Sequence, residues 1–288
     1  MKNKTQLVVL ILIGVLFASC TALQYRETTE EVYLRHKTIN IPAEITTFNS
    51  QVINRNIRVQ AVKESNNNIN VIFFHGSPSS MAAWRDYLID TSLVKKANLY
   101  AVDRPGYGYS GFGDELTSIK TQAKVMNKLI NDYNLENVIL VGTSYGGPLA
   151  ARTAVLNTRV KALIMVSPAI DPNQEKKIWA SRLTQWWLTR WLVPTGYRVA
   201  GDEKTTHAKE LEKIKDDWET LKIPVVHIHG TEDKVVPFGN INYTKEVFEN
   251  ITVIPISNAG HEIALQRPEL VKPEIEVLIT TLIEDIKP

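Results

Sequence analysis

In the stretch VILVGTSYGG, residues 138–147, four apolar residues run straight into a serine and a tyrosine set among three glycines. An ordinary turn needs one residue able to take positive φ, so three glycines around one hydroxyl point to crowding. If Ser144 forms the apex of a tight strand-to-helix turn, Gly142 and Gly146 stand where side chains would collide with neighbouring backbone. The following PLAARTAVL reads as a helix, with Pro148 near its first turn and Leu149, Thr153 and Leu156 roughly on one face. Ser144 is therefore expected at a helix N-terminus, where amide N–H groups and the helix dipole favour negative charge. That is a place for nucleophilic chemistry.

A serine hydroxyl attacks only when a base removes its proton, and the base must be held in one tautomer and stabilised once charged. Downstream, HGTEDKVVP follows the strand-like PVVHI and offers Asp233, while NAGHE follows TVIPI and offers His261. Glu232 and Asp171 are rival acids; the spacing within GTEDKVVP favours Asp233, and Asp171 follows a different strand, ALIMVS. Other candidates have structural readings. His75 is expected as a structural partner in its loop rather than a base. His227 and His229 form an H-x-H pair that could ligate zinc, yet no carboxylate or third histidine is near in sequence, and HIHG has the form of a buried strand end. His36 and His207 are expected to be solvated, and Ser110 and Ser167 to be exposed loop serines.

The elements that must carry these groups alternate. EITTFNSQVI and NIRVQAVKE read as an antiparallel hairpin turned at NRN, and INVIFFHG as a strand buried on both faces. MAAWRDYLID, ANLYAVD, the amphipathic LTSIKTQAKVMNKLINDYN, NVILVG, VKALIMVSP, PVVHIHG and NITVIPI continue the helix–strand rhythm. The pattern predicts a doubly wound, mostly parallel α/β sheet with its functional groups at the C-terminal ends of the strands. From Asp171 to Leu221 the rhythm stops, and five of the six tryptophans lie there. This insert, about residues 171–221 with nearly balanced charge, is expected to be a short helical cap. Within it KIWASRLTQWWLTRWL reads as an amphipathic helix showing aromatics to a pocket; any single tryptophan is better read as fastening the insert to the core.

The 288 residues are 44% hydrophobic and 22% charged with net charge +2, enough for one substantial core. Acids and bases are mixed along the chain and no basic stripe interleaves with aromatics, so nothing points to nucleic acid. The N-terminus differs in kind. Lys2 and Lys4 precede LVVLILIGVLFA, too short an apolar run to cross a bilayer, and LFASC ends in Cys20, the one cysteine of the chain. LFASC resembles a bacterial lipobox. That resemblance implies cleavage before Cys20, lipidation of Cys20 and a lipid-anchored place in a bacterial cell envelope. The expected organisation is a signal peptide at 1–19, a polar tether at 20–44 and one α/β domain at 45–288.

The G-T-S-Y-G of residues 142–146 resembles the nucleophile elbow of the α/β-hydrolase family. The order Ser144, Asp233, His261 is similar to that family's triad order. FFHGSPSS resembles its oxyanion loop, and VDRPGYGYS its Gly-rich loop at the rim of the site. The resemblance covers about residue 45 to the C-terminus and implies an α/β-hydrolase fold. It also implies a Ser144–Asp233–His261 triad and an oxyanion hole formed by the backbone N–H groups of Ser77 and Tyr145. No metal or organic cofactor is expected. The activity implied is an esterase- or lipase-like serine hydrolysis of a small-molecule, apolar acyl ester. Prolyl aminopeptidases of the same family are similar in DRPGYGYS and in the Gly-Gly after the nucleophile, though they carry larger caps with acidic residues for a substrate amine. A catalytically silent, lipid-anchored binding module is the reading from another class.

Overall fold

The computed structural model describes residues 2–19, 25–63, 67–176 and 181–286. Cys20, expected to be lipidated, and Trp179 lie outside the described residues.

Eight strands form one sheet: β1 (Glu44–Ser50), β2 (Arg55–Val62), β3 (Asn70–Phe74), β4 (Asn98–Val102), β5 (Val138–Thr143), β6 (Val160–Val166), β7 (Val225–Gly230) and β8 (Ile251–Ile256). Their order is β1-β2-β4-β3-β5-β6-β7-β8. β1 with β2 and β2 with β4 are antiparallel, and the remaining pairs are parallel. The hairpin expected first is therefore β1–β2, turned over residues 51–54 rather than at NRN. Every residue of β3 and β7 is buried, as the unbroken apolar runs of parallel strands require. Two apolar layers sandwich the sheet. One packs helices Ile119–Asp132 and Gly146–Leu156 with Trp218; the other gathers Trp84, Tyr87 and the C-terminal helix Lys272–Ile286.

Because the strands from β3 to β8 run parallel, their C-terminal ends open on one edge. The loops after β3, β5, β7 and β8 bring Ser77, Ser144, Asp233 and His261 to that edge.

Two regions depart from expectation. The segment read as a polar tether carries a docked helix, Thr29–Ile39, with a capping box between Thr28 and Glu31. Val32 and His36 are buried on it, and the His36 ring bonds the Ile41 carbonyl and Gln60, so His36 is not solvated. A buried face made of one valine and one histidine hides such a helix from a hydrophobicity pattern. In the insert, among the described residues the tryptophan-rich segment is α-helical only over Ser181–Gln185, with a 3₁₀ turn at Arg190–Leu192. The main cap helix is instead Thr195–Glu212. Its buried face comprises Gly196, Val199, Gly201, Glu203, His207, Glu210 and Leu211, mostly polar or small, which explains why apolar periodicity does not reveal it. At the other end of the chain, Lys2–Ser19 is a helix, and among the described residues no helix is long and apolar enough to cross a membrane.

Candidate active site

Ser144 sits between β5 and the helix Gly146–Leu156 with φ of +53°, in the left-handed region that non-glycine residues rarely occupy. Its amide donates to the Val166 carbonyl at 3.0 Å, and its carbonyl accepts from Gly147 at 3.0 Å, so neighbouring backbone locks the turn. The crowding inferred from the glycines is real. A Cβ on Gly142 would lie 2.1 Å from the Gly146 carbonyl oxygen, and one on Gly146 would lie 2.2 Å from that of Phe74.

His261 and Asp233 converge on this serine from the next loops of the sheet. His261 Nδ1 lies 2.7 Å from Asp233 Oδ2, and His261 Nε2 lies 3.0 Å from Ser144 Oγ. A carboxylate can only accept, so Nδ1–H is the donor and Nε2 is left to accept the serine proton. Asp233 is held at every side. Its Oδ1 accepts the Val235 and Val236 amides at 2.8 Å each. His229 Nε2 stands 3.3 Å from Oδ2. Burial alone would raise the carboxyl's pKa, but hydrogen bonds from His229, His261 and the Val236 amide outweigh it and hold the group well below the usual carboxylate range.

The H-x-H pair thus supports the aspartate. His227 Nε2 and His229 Nδ1 are 2.9 Å apart, and His227 Nδ1 is 2.7 Å from Thr244 Oγ1. Burial, then the neighbouring His229, depresses the pKa of His227 well below that of a free imidazole. The rival residues find other duties. Asp171 accepts the Asn173 amide and the Gln174 side chain in a turn, and Glu232 is exposed. His75 donates to the Gly76 carbonyl and accepts the Arg104 amide, bracing the loop after β3. Ser110 and Ser167 are fully buried rather than exposed; Ser110 Oγ accepts the Arg58 amide.

A cavity of about 1380 Å³ opens over the serine, lined by Ser77, Ser144, Tyr145 and His261. Among the described residues the amides of Ser77 and Tyr145 meet no acceptor. The far wall comes from the cap and from the segment read as tether: Leu183, Leu192, Val193, Pro194, Tyr197 and Tyr25. The Tyr25 and Tyr197 hydroxyls lie 2.7 Å apart, closing the two segments on each other. No described tryptophan lines this cavity. Trp186, Trp187 and Trp191 face outward, and Trp218 is buried beneath the insert, where it packs on Phe248. The tryptophans expected to face a pocket are replaced there by aliphatic side chains and two tyrosines.

Sequence reasoning missed the charged pair beneath the cavity. Arg104 is fully buried and bonds Glu203 through Nη1 at 2.7 Å and Nη2 at 3.2 Å, as well as the His75 and Gly76 carbonyls. Tyr107 donates to Glu203 at 2.6 Å and its hydroxyl lies 2.5 Å from that of Ser77. Burial opposes the charge on Arg104, but Glu203 more than restores it and the guanidinium pKa is raised. A cap-side ion pair, Lys204 with Glu175, repeats the device nearby. His207, read as solvated, is buried against Tyr145 at 4.8 Å between ring centroids and hydrogen bonds the Ala169 carbonyl at 2.8 Å; burial lowers its pKa. An arginine inside the glycine- and tyrosine-rich VDRPGYGYS was the available signal for this network.

A family model described as the alpha/beta hydrolase fold matches residues 69–192. The chain is an α/β-hydrolase-fold protein. It is 26% identical over 230 residues to the AB hydrolase superfamily protein YisY of Bacillus subtilis, covering 66% of this chain and 84% of that one. An esterase/lipase-like protein of Mycoplasma pneumoniae is 34% identical over 102 residues, 34% of this chain and 37% of its own. Among solved structures, a membrane phospholipase A described as a bacterial virulence factor superposes with a TM-score of 0.66 at 18% identity, covering 98% of this chain and 99% of that one. The hydrolase fold explains why Ser144, Asp233 and His261 arrive in that chain order: each ends a different parallel strand of the same sheet.

Proposed function

We propose that this protein is a serine hydrolase that cleaves carboxylic esters with an apolar acyl group through an acyl-enzyme on Ser144. The observation that carries this reading is the continuous hydrogen-bonded chain from Ser144 Oγ through His261 to Asp233. Ser144 Oγ attacks the ester carbonyl while His261 Nε2 takes its proton. The charge formed on the imidazole is stabilised by the ionised Asp233, whose depressed pKa keeps it anionic at neutral pH. The amides of Ser77 and Tyr145 receive the oxyanion, each worth about 3 kcal/mol to the transition state. Collapse breaks the ester C–O bond, and the proton on His261 passes to the departing alcohol. Water then attacks the acyl-serine, gives its proton to His261, and the acid leaves as Ser144 regains a proton.

The aliphatic cap wall suits an acyl chain. A relative with an esterase/lipase-like name and a membrane phospholipase A of similar fold support the same substrate class. Amide cleavage next to a free amine fits less well. Of the cavity's carboxylates, Glu203, Glu175 and Glu27 are already paired with Arg104, Lys204 and Arg35 and Glu31 is taken up by its capping box, which leaves Glu262 as the one to meet such an amine. We further read the chain as anchored in a bacterial cell envelope by lipid on Cys20.

The test is mass spectrometry of the protein after exposure to a fluorophosphonate. A single adduct on Ser144, absent from Ser144→Ala and His261→Ala, is expected; folded protein that takes no adduct would overturn the mechanism.

A further inference from the structure

The loop between the cap's short helix and its main helix has two faces. Leu183, Thr184 and Leu192 look into the cavity. Trp186, Trp187 and Trp191 look out, with 52%, 76% and 48% of their surface exposed, and exposed Leu188 lies among them. A cluster of three half-exposed or more exposed indoles on one loop is not accounted for by fastening the insert, a duty Trp218 performs while fully buried.

The charges of this insert balance only in sum. Residues 176–201 contain Lys176, Lys177, Arg182, Arg190 and Arg198 and no acidic residue; Arg190 is paired with Asp202 just beyond them, and the other four have no acid within the stretch. Indoles with basic neighbours match the interfacial layer of a bilayer, where amphipathic rings sit at headgroup level and cations meet anionic lipid.

Chain connectivity puts the same face beside the anchor. Tyr25 lines the cavity mouth and is hydrogen bonded to Tyr197 of the cap helix. Cys20 lies five residues earlier, which spans at most about 17 Å when fully extended. In the full chain the N-terminal helix, exposed from Leu7 to Ile13, also runs beside the loop, since Gly14 sits against Leu192. Whichever apolar group holds the chain to a membrane, it does so next to the mouth.

We propose that Trp186, Trp187, Leu188 and Trp191 form a docking face that seats in the interfacial layer of a bilayer bearing anionic headgroups, with the cavity mouth turned toward that bilayer. The proposal rests on the reading of a membrane-anchored chain and adds an orientation to it. A short leash fixes where the domain sits, and the tryptophan face fixes which way it points. An ester embedded in the membrane then reaches Ser144 without crossing bulk water.

The test reconstitutes the full chain into phosphatidylglycerol–phosphatidylcholine vesicles with and without bromine on the acyl chains. Trp179 is replaced by phenylalanine throughout; bromine quenches only tryptophans at its own depth, so Trp84 and Trp218, fully buried, serve as internal silent residues. Vesicle flotation should carry the protein, and brominated lipid should remove roughly a third or more of its emission, as expected for indoles at the interface. The variant Trp186→Ser/Trp187→Ser/Trp191→Ser should float equally, unfold at the same temperature and lose that quenching. It should hydrolyse a soluble short-chain ester normally and a vesicle-embedded ester roughly ten-fold more slowly. Flotation without quenching would leave the anchor standing and overturn the face. Quenching that persists in the triple variant would overturn it too. So would a tryptophan-dependent dimer with no quenching, which would make a second copy the occupant. Protein that neither floats nor is quenched would overturn anchor and face together. Failure of the ester chemistry would be read separately, by the fluorophosphonate.

Discussion

On the sheet side of the cavity, Ser144, Asp233 and His261 each stand just beyond a parallel strand whose ladder pins it to its neighbours. On the cap side, Glu203, Lys204 and His207 come from a single helix, Thr195–Glu212, and hold their places through charge pairs and one histidine hydrogen bond. The sheet side sets atoms to within hydrogen-bond reach of one another, as bond-making chemistry demands. The cap side sets the shape and polarity of a wall. Substitutions should therefore separate the two: sheet-side changes should strike turnover with the fold intact, and cap-side changes should strike stability.

The sharpest separation comes from Asp233→Asn. The amide keeps an acceptor for Val235 and Val236 but can place a donor against His261 Nδ1–H, forcing the other tautomer. Turnover of a soluble ester should fall on the order of 10⁴-fold while unfolding stays cooperative. A loss below ten-fold in steady-state kinetics would mean that the aspartate does not orient the base.

Next in size is Glu203→Ala. Arg104 would remain fully buried without its counter-charge, which should cost about 3–5 kcal/mol in urea unfolding. Equal stability of variant and wild type would erase the contrast between the walls, because the cap would then not be pinned by this pair.

Smallest per residue is the effect of pH. His75, His207 and His227 all have pKa values depressed first of all by burial. Below an unfolded pKa of about 6.5 the unfolded chain takes up protons that the native imidazoles refuse, so stability is full above that pH and declines as pH falls. Each histidine contributes a slope of up to about 1.4 kcal/mol per pH unit within its window. Asp233, whose pKa is also depressed, adds its loss only at far lower pH. Urea midpoints should therefore drop between pH 8 and pH 5, ahead of carboxylate protonation; a flat profile would show that these histidines are charged in the folded state.

The elbow was legible because its cause is local. Gly142 answers the Gly146 carbonyl four residues away and Gly146 that of Phe74 at the end of the adjoining strand, and such crowding leaves a mark in composition. The strands were legible because burial on both faces demands unbroken apolar runs. The cap helix was not, since its inward face is Glu203, His207 and Glu210, residues that look solvent-facing until partners arrive from elsewhere. The buried His36, Ser110 and Ser167 were misread for the same reason. The tryptophans were misassigned because amphipathic spacing names two faces without saying which one the core takes.

Taken alone, the amino-acid sequence determined the alternation of strands and helices, the tight turn at Ser144 and the order of acid and base after it. The first two follow from periodicity and short-range backbone sterics, the third from resemblance to a known motif order. Tertiary structure alone decided that His229 backs Asp233, that Arg104 and Glu203 join 99 positions apart, and that none of the described tryptophans lines the cavity. Those outcomes depend on which polar groups meet across the fold, and a buried charge declares its partner only once both have left water.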